Sequence, residues 1–195
     1  AMSELSSICT ELGAVRRKAA RGVAVLLLAS LAAQDLVAQA APVAETGASG
    51  LPLPRFVSLK SDRVSLRQGP GNEYPVAWVY RRVGLPVEVV QEFESWRQVR
   101  DAEGTTGWVW ASSLSGRRTA LVLPWEAKAA TTPPAAATLR DDDSEGAQPV
   151  AQVEAGVLAA VIGCNGRWCR ISVGGFRGFI EQTKLWGAYQ GEVIK

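Results

Sequence analysis

The sequence predicts an all-β chain, two small barrels in tandem joined by a Pro/Ala/Thr-rich linker, on three observations. Landmarks of one unit recur in the same order roughly seventy residues later. The segments between them are short runs of Val, Trp and Phe broken by turn residues. No stretch beyond residue 40 keeps a helical apolar period over ten residues. The recurring landmarks are Leu66-Arg67 and Leu139-Arg140 (73 apart), Pro75-Val76 and Pro149-Val150 (74), Gly84 and Gly156 (72), Trp96 and Trp168 (72), Gly107-Trp108-Val109 and Gly178-Phe179-Ile180 (71), and Leu114 and Leu185 (71). Five short antiparallel strands per unit must close, or nearly close, to protect their edges, which makes each unit a small barrel.

The first forty residues read as an export signal. Arg16, Arg17, Lys18 and Arg21 precede the apolar run Gly22 to Ala33, which at 12 residues falls short of the roughly 20 that a membrane-spanning helix needs. The small residues Ala38-Gln39-Ala40 follow, the A-x-A pattern of a signal-peptidase site, with cleavage expected between Ala40 and Ala41. An uncleaved anchoring segment is the alternative. Residues 41–53 then read as a flexible segment, 54–123 as the first barrel, 124–136 as a semi-extended linker (Pro124 to Lys128 and then the Ala/Thr/Pro run AATTPPAAAT, 129–138), and 137–195 as the second, diverged barrel.

Within the first unit, Val87 to Phe93, Trp96 to Asp101 and Thr105 to Trp110 are strand-like, separated by Glu94-Ser95 and Ala102-Glu103-Gly104 at hairpin spacing. The second unit repeats them as Val157 to Gly163, Trp168 to Val173 and Arg177 to Glu181, with Asn165-Gly166 as its turn.

Composition removes several function classes. The chain of 195 residues has 21 basic and 19 acidic side chains, a net of +2, so no basic field points to nucleic acid. It has no histidine, which removes Ser-His-Asp and Cys-His nucleophile arrangements and imidazole acid–base chemistry, and three cysteines are too few for a four-cysteine zinc site. No cofactor and no metal are expected, and the reading is a binding module, not an enzyme. The two units differ in charge: residues 54–123 carry 10 basic and 7 acidic groups, residues 136–195 carry 6 and 7.

The first unit resembles the bacterial Src-homology-3 (SH3b-type) domain. Val64-Ser65-Leu66-Arg67-Gln68-Gly69-Pro70-Gly71 with Tyr74-Pro75-Val76 is similar to that family's opening strand and Arg-x-Gly-Pro loop. Leu85-Pro86-Val87, Trp96-Arg97-Gln98-Val99, Gly107-Trp108-Val109 and Ser113-Leu114 continue the pattern. The second unit keeps Leu139-Arg140, Trp168, Gly178 and Leu185-Trp186-Gly187, but has Asp143-Ser144-Glu145-Gly146 in place of Gly-Pro-Gly. The resemblance implies SH3-like barrels that bind cell-wall peptides or proteins without catalysis. Periplasmic or secreted recognition of peptidoglycan stem peptides, or of an envelope protein through extended or Pro-rich segments, is therefore the expected function.

Strand parity nominates the binding residues. Val99 and Val109 should face the core, leaving Trp96, Trp108 and Trp110 on the other face with Gln98 and Arg100. They form either an aromatic ligand platform or a cover for a loop or the neighbouring repeat. Tyr74, Arg100, Arg81 and Arg82 would rim such a platform. The second unit offers Trp168, Phe179 and Glu181 at the same places. Arg67 reads as a strand-end residue pairing with a loop acid, Gly69 to Gly71 as a turn without P-loop features, and Asp141 to Asp143 as a solvated turn. Cys164 and Cys169 flank four residues at a hairpin turn. That spacing sets them opposite each other and predicts a disulfide, with two buried thiols as the alternative.

Overall fold

The computed structural model describes residues 45–129 and 132–195. The expected signal at 1–40, with its cleavage point between Ala40 and Ala41, lies outside them. After a short hairpin, β1 (Glu45–Thr46) and β2 (Pro52–Leu53), come β3 (Arg55–Leu59), β4 (Val64–Arg67), β5 (Val76–Tyr80), β6 (Pro86–Phe93), β7 (Trp96–Arg100), β8 (Thr106–Trp110), a 3₁₀ turn at Ala111–Ser113, and β9 (Leu114–Ser115). They form one antiparallel sheet in the order β5-β4-β8-β7-β6-β3-β9. The second sheet comprises β10 (Thr119–Val122), β11 (Ala136–Arg140), β12 (Pro149–Glu154), β13 (Leu158–Asn165), β14 (Trp168–Val173), β15 (Phe176–Glu181), a 3₁₀ turn at Gln182–Lys184, β16 (Leu185–Trp186) and β17 (Val193–Ile194). Its order, β12-β11-β15-β14-β13-β10-β16, repeats the first strand for strand, with β17 added beside β13. Among the described residues no helix is long and apolar enough to cross a membrane.

Alternation places the cores. Leu59, Val64, Leu66, Val87, Val89, Val99 and Val109 fill the first sheet's concave side. Val122, Leu139, Cys169, Ile171 and Ile180 fill the second's. The repeated glycines Gly107 and Gly178 mark where β4 and β11 cross closest. A Cβ on Gly107 would lie 2.6 Å from Leu66 Cγ and 2.8 Å from the Arg67 carbonyl oxygen, and one on Gly178 would strike the Arg140 carbonyl. Backbone cannot yield there as a flexible side chain can. Gly107→Ala is expected to destabilise by about 1–3 kcal/mol, measured by urea unfolding; an unchanged midpoint would refute the crowding.

Three sequence expectations need correction. Neither sheet closes into a barrel: among the described residues no ladder joins β5 to β9 or β12 to β16. The last strands are two residues long, and the outer hairpins carry register shifts at Leu66/Arg67 and Leu139/Arg140. Residues 119–122, assigned to the first unit, pair with β13 and β16. The first sheet thus ends at Ser115, and the segment read as an interdomain linker, 124–136, runs mostly inside the second domain, connecting β10 to β11. Finally, within the segment read as flexible, 41–53, the described residues 45–53 carry a two-stranded hairpin, β1 and β2.

That hairpin fastens the end of the first sheet. Glu92 and Arg97 face each other across β6 and β7 and form an ion pair at 3.1 Å. The Glu92 carboxylate also takes the Ser49 N–H and hydroxyl, both at 2.7 Å, and the Arg55 guanidinium at 2.6 Å. Burial alone would raise its pKa; hydrogen bonds from Ser49 and Arg55 and the charge of Arg97 outweigh it and bring it from 4.5 down to about 2. A depressed carboxylate stabilises the fold above its unfolded pKa, and that stability is lost as pH falls from 4.5 towards about 2. Glu92→Gln is therefore expected to flatten the loss of stability across that window in urea titrations; a slope equal to wild type would refute the assignment.

At the equivalent register of the second sheet, Cys164 and Cys169 face each other and form a disulfide. Asn165 organises the turn between them, accepting the N–H groups of Arg167 (3.0 Å) and Trp168 (2.8 Å). The chain's last strand, β17, lies along the same edge, with Ile194 opposite Cys164.

The two domains also touch. Thr119 Oγ1 donates to the Gly84 carbonyl at 2.6 Å, and Arg82 donates to the Gly156 carbonyl at 3.1 Å. These glycines are one of the repeat's landmarks, and both hold positive φ, 77° and 80°. Phe56 packs edge-on to Trp186 (5.0 Å between centroids) and against Tyr189 (4.6 Å).

Candidate ligand-binding face

The hairpin turn at Glu94-Ser95 sets Phe93 opposite Trp96, and β8 sets Trp110 opposite Trp96 and Trp108 opposite Gln98. Partners in an antiparallel ladder share a face, so Phe93, Trp96 and Trp110 form one row and Gln98, Trp108 and Arg67 the next. Val99 and Val109, on the opposite side, are fully buried.

The three tryptophans of this face are not equivalent. Trp96 is 6% exposed and Trp108 9%, whereas Trp110 is 42% exposed. Trp96 and Trp110 meet edge to face, with centroids 5.0 Å apart and planes at 88°. Together with Arg63, Ser65, Arg67, Asn72 and Ser113 they line a shallow pocket of about 280 Å³. Trp108 lies outside that lining.

Arg67 Nη1 donates to the carbonyls of Asn72 (3.1 Å) and Tyr74 (2.6 Å), tying the 68–75 loop back onto its strand. The expected partner was a loop acid, but among the described residues Glu73 forms no ion pair, and backbone carbonyls take that place. Tyr74 is 41% exposed but does not line the pocket; its ring lies over Gly69.

Arg100 shares the face but sits at its other end. Its Nε (2.8 Å) and Nη2 (2.5 Å) bind Glu88, and its guanidinium lies 5.9 Å above the Trp186 ring of the second domain. It belongs with Arg82 to the domain junction, away from the tryptophan pocket, and Arg81 is exposed beyond the end of β5. Arg63 and Phe93, absent from the sequence expectation, complete the face instead. The two-residue turn already fixed Phe93 against Trp96, while Arg63 carries no local signal.

In the second domain Trp168 is buried and stands opposite Glu181, with Phe179 opposite Arg170. The open space nearby, about 300 Å³, has polar walls that include Glu145, Arg167, Glu181 and Gln190, so it lacks the aromatic pair of the first domain. Asp143 accepts a 2.8 Å bond from Asn165 Nδ2, which gives the acidic turn a structural partner. Among the described residues no group of three or more Cys, Asp or Glu side chains is placed to hold a metal ion.

Solved structures similar to this chain include NlpC2 from Trichomonas vaginalis (14% identity, covering 68% of this chain and 48% of that one, TM-score 0.30). NlpC1 from the same organism (13% identity, 75% and 50%, TM-score 0.28) and an NlpC/P60 family protein from Bacillus cereus (12%, 70% and 57%, TM-score 0.28) are also similar. The chain spans about half the length of these proteins. No curated protein matches it. The bacterial SH3 domain family matches twice, at residues 60–116 and 134–187, covering most of each sheet described above. The chain therefore belongs to the bacterial SH3 domain family and carries two such domains in tandem.

Proposed function

We propose that this protein is a non-catalytic recognition module of the bacterial cell envelope, and that its first SH3 domain binds peptidoglycan stem peptides. The observation that carries this reading is the half-exposed Trp110 set against Trp96, with Arg63 and Arg67 beside them around one open pocket. An indole pair offers apolar stacking surface to a short peptide, and guanidinium groups suit its carboxylates. The excess of basic over acidic side chains in residues 54–123 favours the same acidic ligand. The absence of histidine supports a binding role over a hydrolytic one. The Cys164–Cys169 disulfide supports a place in an oxidising compartment, periplasmic or secreted.

The test is co-sedimentation with purified sacculi. Wild type should pellet and be released by soluble stem peptides. Trp110→Ala should lose at least tenfold in retention at an unchanged melting temperature, since aromatic anchors at binding faces contribute about 2 kcal/mol or more. A wild-type protein that stays in the supernatant would overturn the ligand, and release of labelled fragments from the sacculi would overturn the non-catalytic role.

A further inference from the structure

Another cavity, of about 410 Å³, opens where the two domains meet, and shares no lining residue with the Trp96–Trp110 pocket. Trp78, Tyr80 and Leu85 form its wall on the first domain, and Leu121, Pro124 and Ala127 its wall on the second. Lys128 and Glu103 bridge the two sides at 3.0 Å, both well exposed.

Trp78 is the anomaly in this cleft. It stands opposite Leu66 in the β4–β5 ladder, so it projects to the core side, and Leu66 is fully buried. Yet Trp78 is 59% exposed, because the sheet does not close over it. The fold itself does not require an aromatic there: Ala151 stands opposite Leu139 at the matching place in the second domain. Among the described residues β5 is also an end strand, so one of its edges presents N–H and C=O groups without a ladder partner.

The polar groups of the cleft floor are already satisfied among themselves. Tyr80 donates to Asp101 at 3.0 Å, and the other oxygen of Asp101 takes the N–H groups of Glu103 (2.9 Å) and Thr105 (2.8 Å). Burial, and then Asp101, push the Tyr80 phenol above its ordinary pKa, so it keeps its proton. What is left to a ligand is apolar surface beside a free strand edge. That combination fits an extended polypeptide, which supplies both a main-chain ladder and alternate side chains.

We propose that the interdomain cleft binds an extended peptide segment of a partner protein, which pairs with the edge of β5 and seats an apolar side chain against Trp78. The insertion between β10 and β11, carrying Pro124 and Ala127, forms the opposite wall and gives the second domain its part in the site.

Panning a phage-displayed library of random dodecapeptides on the full chain tests this. Peptides with apolar residues should be enriched, bind wild type at least tenfold better than Trp78→Ala and Ala127→Trp, and shift the amide resonances of residues 76–80. Proline placed within the contacting stretch should abolish binding by removing ladder donors. Both substituted positions are exposed, so melting temperatures should hold; if Trp78→Ala melts early, Ala127→Trp decides alone. Three outcomes would overturn the proposal: no peptide distinguishing wild type from Ala127→Trp, peptides lost with Trp110→Ala instead, or a self-association through β5 that Trp78→Ala abolishes. Sacculus retention through Trp110 is read separately, so either site can fail without the other.

Discussion

Trp108→Ala is expected to destabilise the first SH3 domain by about 3–5 kcal/mol, the usual range for truncating a buried aromatic. Trp96→Ala should fall in the same range. Both indoles lie on the sheet's outer face yet are nearly covered, 9% and 6% exposed. They pack there as core residues do, Trp96 against Trp110 and Trp108 between its ladder partners Gln98 and Arg67. Trp110, at 42%, has far less to lose on truncation. The three variants therefore separate in one urea series: two with early midpoints and one close to wild type. Equal midpoints for Trp108→Ala and wild type would show that the Trp108 ring contributes no packing.

Tyr189→Phe should cost about 1–3 kcal/mol, the penalty for leaving a buried acceptor without its donor. The acceptor is Glu88, a carboxylate on the first domain whose side chain is 3% exposed. One of its oxygens is held by Arg100, and the other takes the Tyr189 hydroxyl at 2.9 Å from the second domain. Burial, followed by the bond to Glu88, pushes the Tyr189 phenol above its ordinary pKa, so the donor proton stays in place. Since this bond crosses between domains, its loss should also uncouple them. Calorimetry should resolve two unfolding transitions in Tyr189→Phe where wild type shows one. A single transition at the wild-type temperature would show that the junction does not depend on this bond.

Much of the architecture was legible because SH3-like strands are joined by short turns. Trp96 follows a two-residue turn and Cys164 faces Cys169 across a four-residue one, so their pairing is a local matter. The inward positions of Val99, Val109, Ile171 and Cys169 follow from alternation alone. The placement of Thr119 to Val122 was not legible in this way. That strand joins partners some 40 and 65 residues onward, and its apolar composition suits either sheet. The trace of it is numerical: Leu59 and Val122 hold matching register positions only 63 residues apart, against 71 to 74 for later landmarks. That shortfall is the insertion between β10 and β11, whose Ala, Thr and Pro composition reads as a linker.

The binding residues were less legible than the fold. Parity put Trp96, Trp108, Trp110 and Arg100 on one face but is silent about position along the strand and about what covers each residue. Arg100 faces the second domain, which no pattern within one repeat can reveal. Trp78 escapes for the opposite reason: parity assigns it to a core that the open sheet never completes.

The two domains fasten the same corner with different chemistry. Where the first has the charges of Glu92 and Arg97, the second has the covalent bond between Cys164 and Cys169. This gives the molecule an order of maturation. The ionic corner can assemble as soon as the chain folds at neutral pH, whatever the redox state. The covalent one waits for an oxidant. Before oxidation a folded chain thus passes through a stage in which only the ionic corner is fastened. Oxidation is the event that ends it.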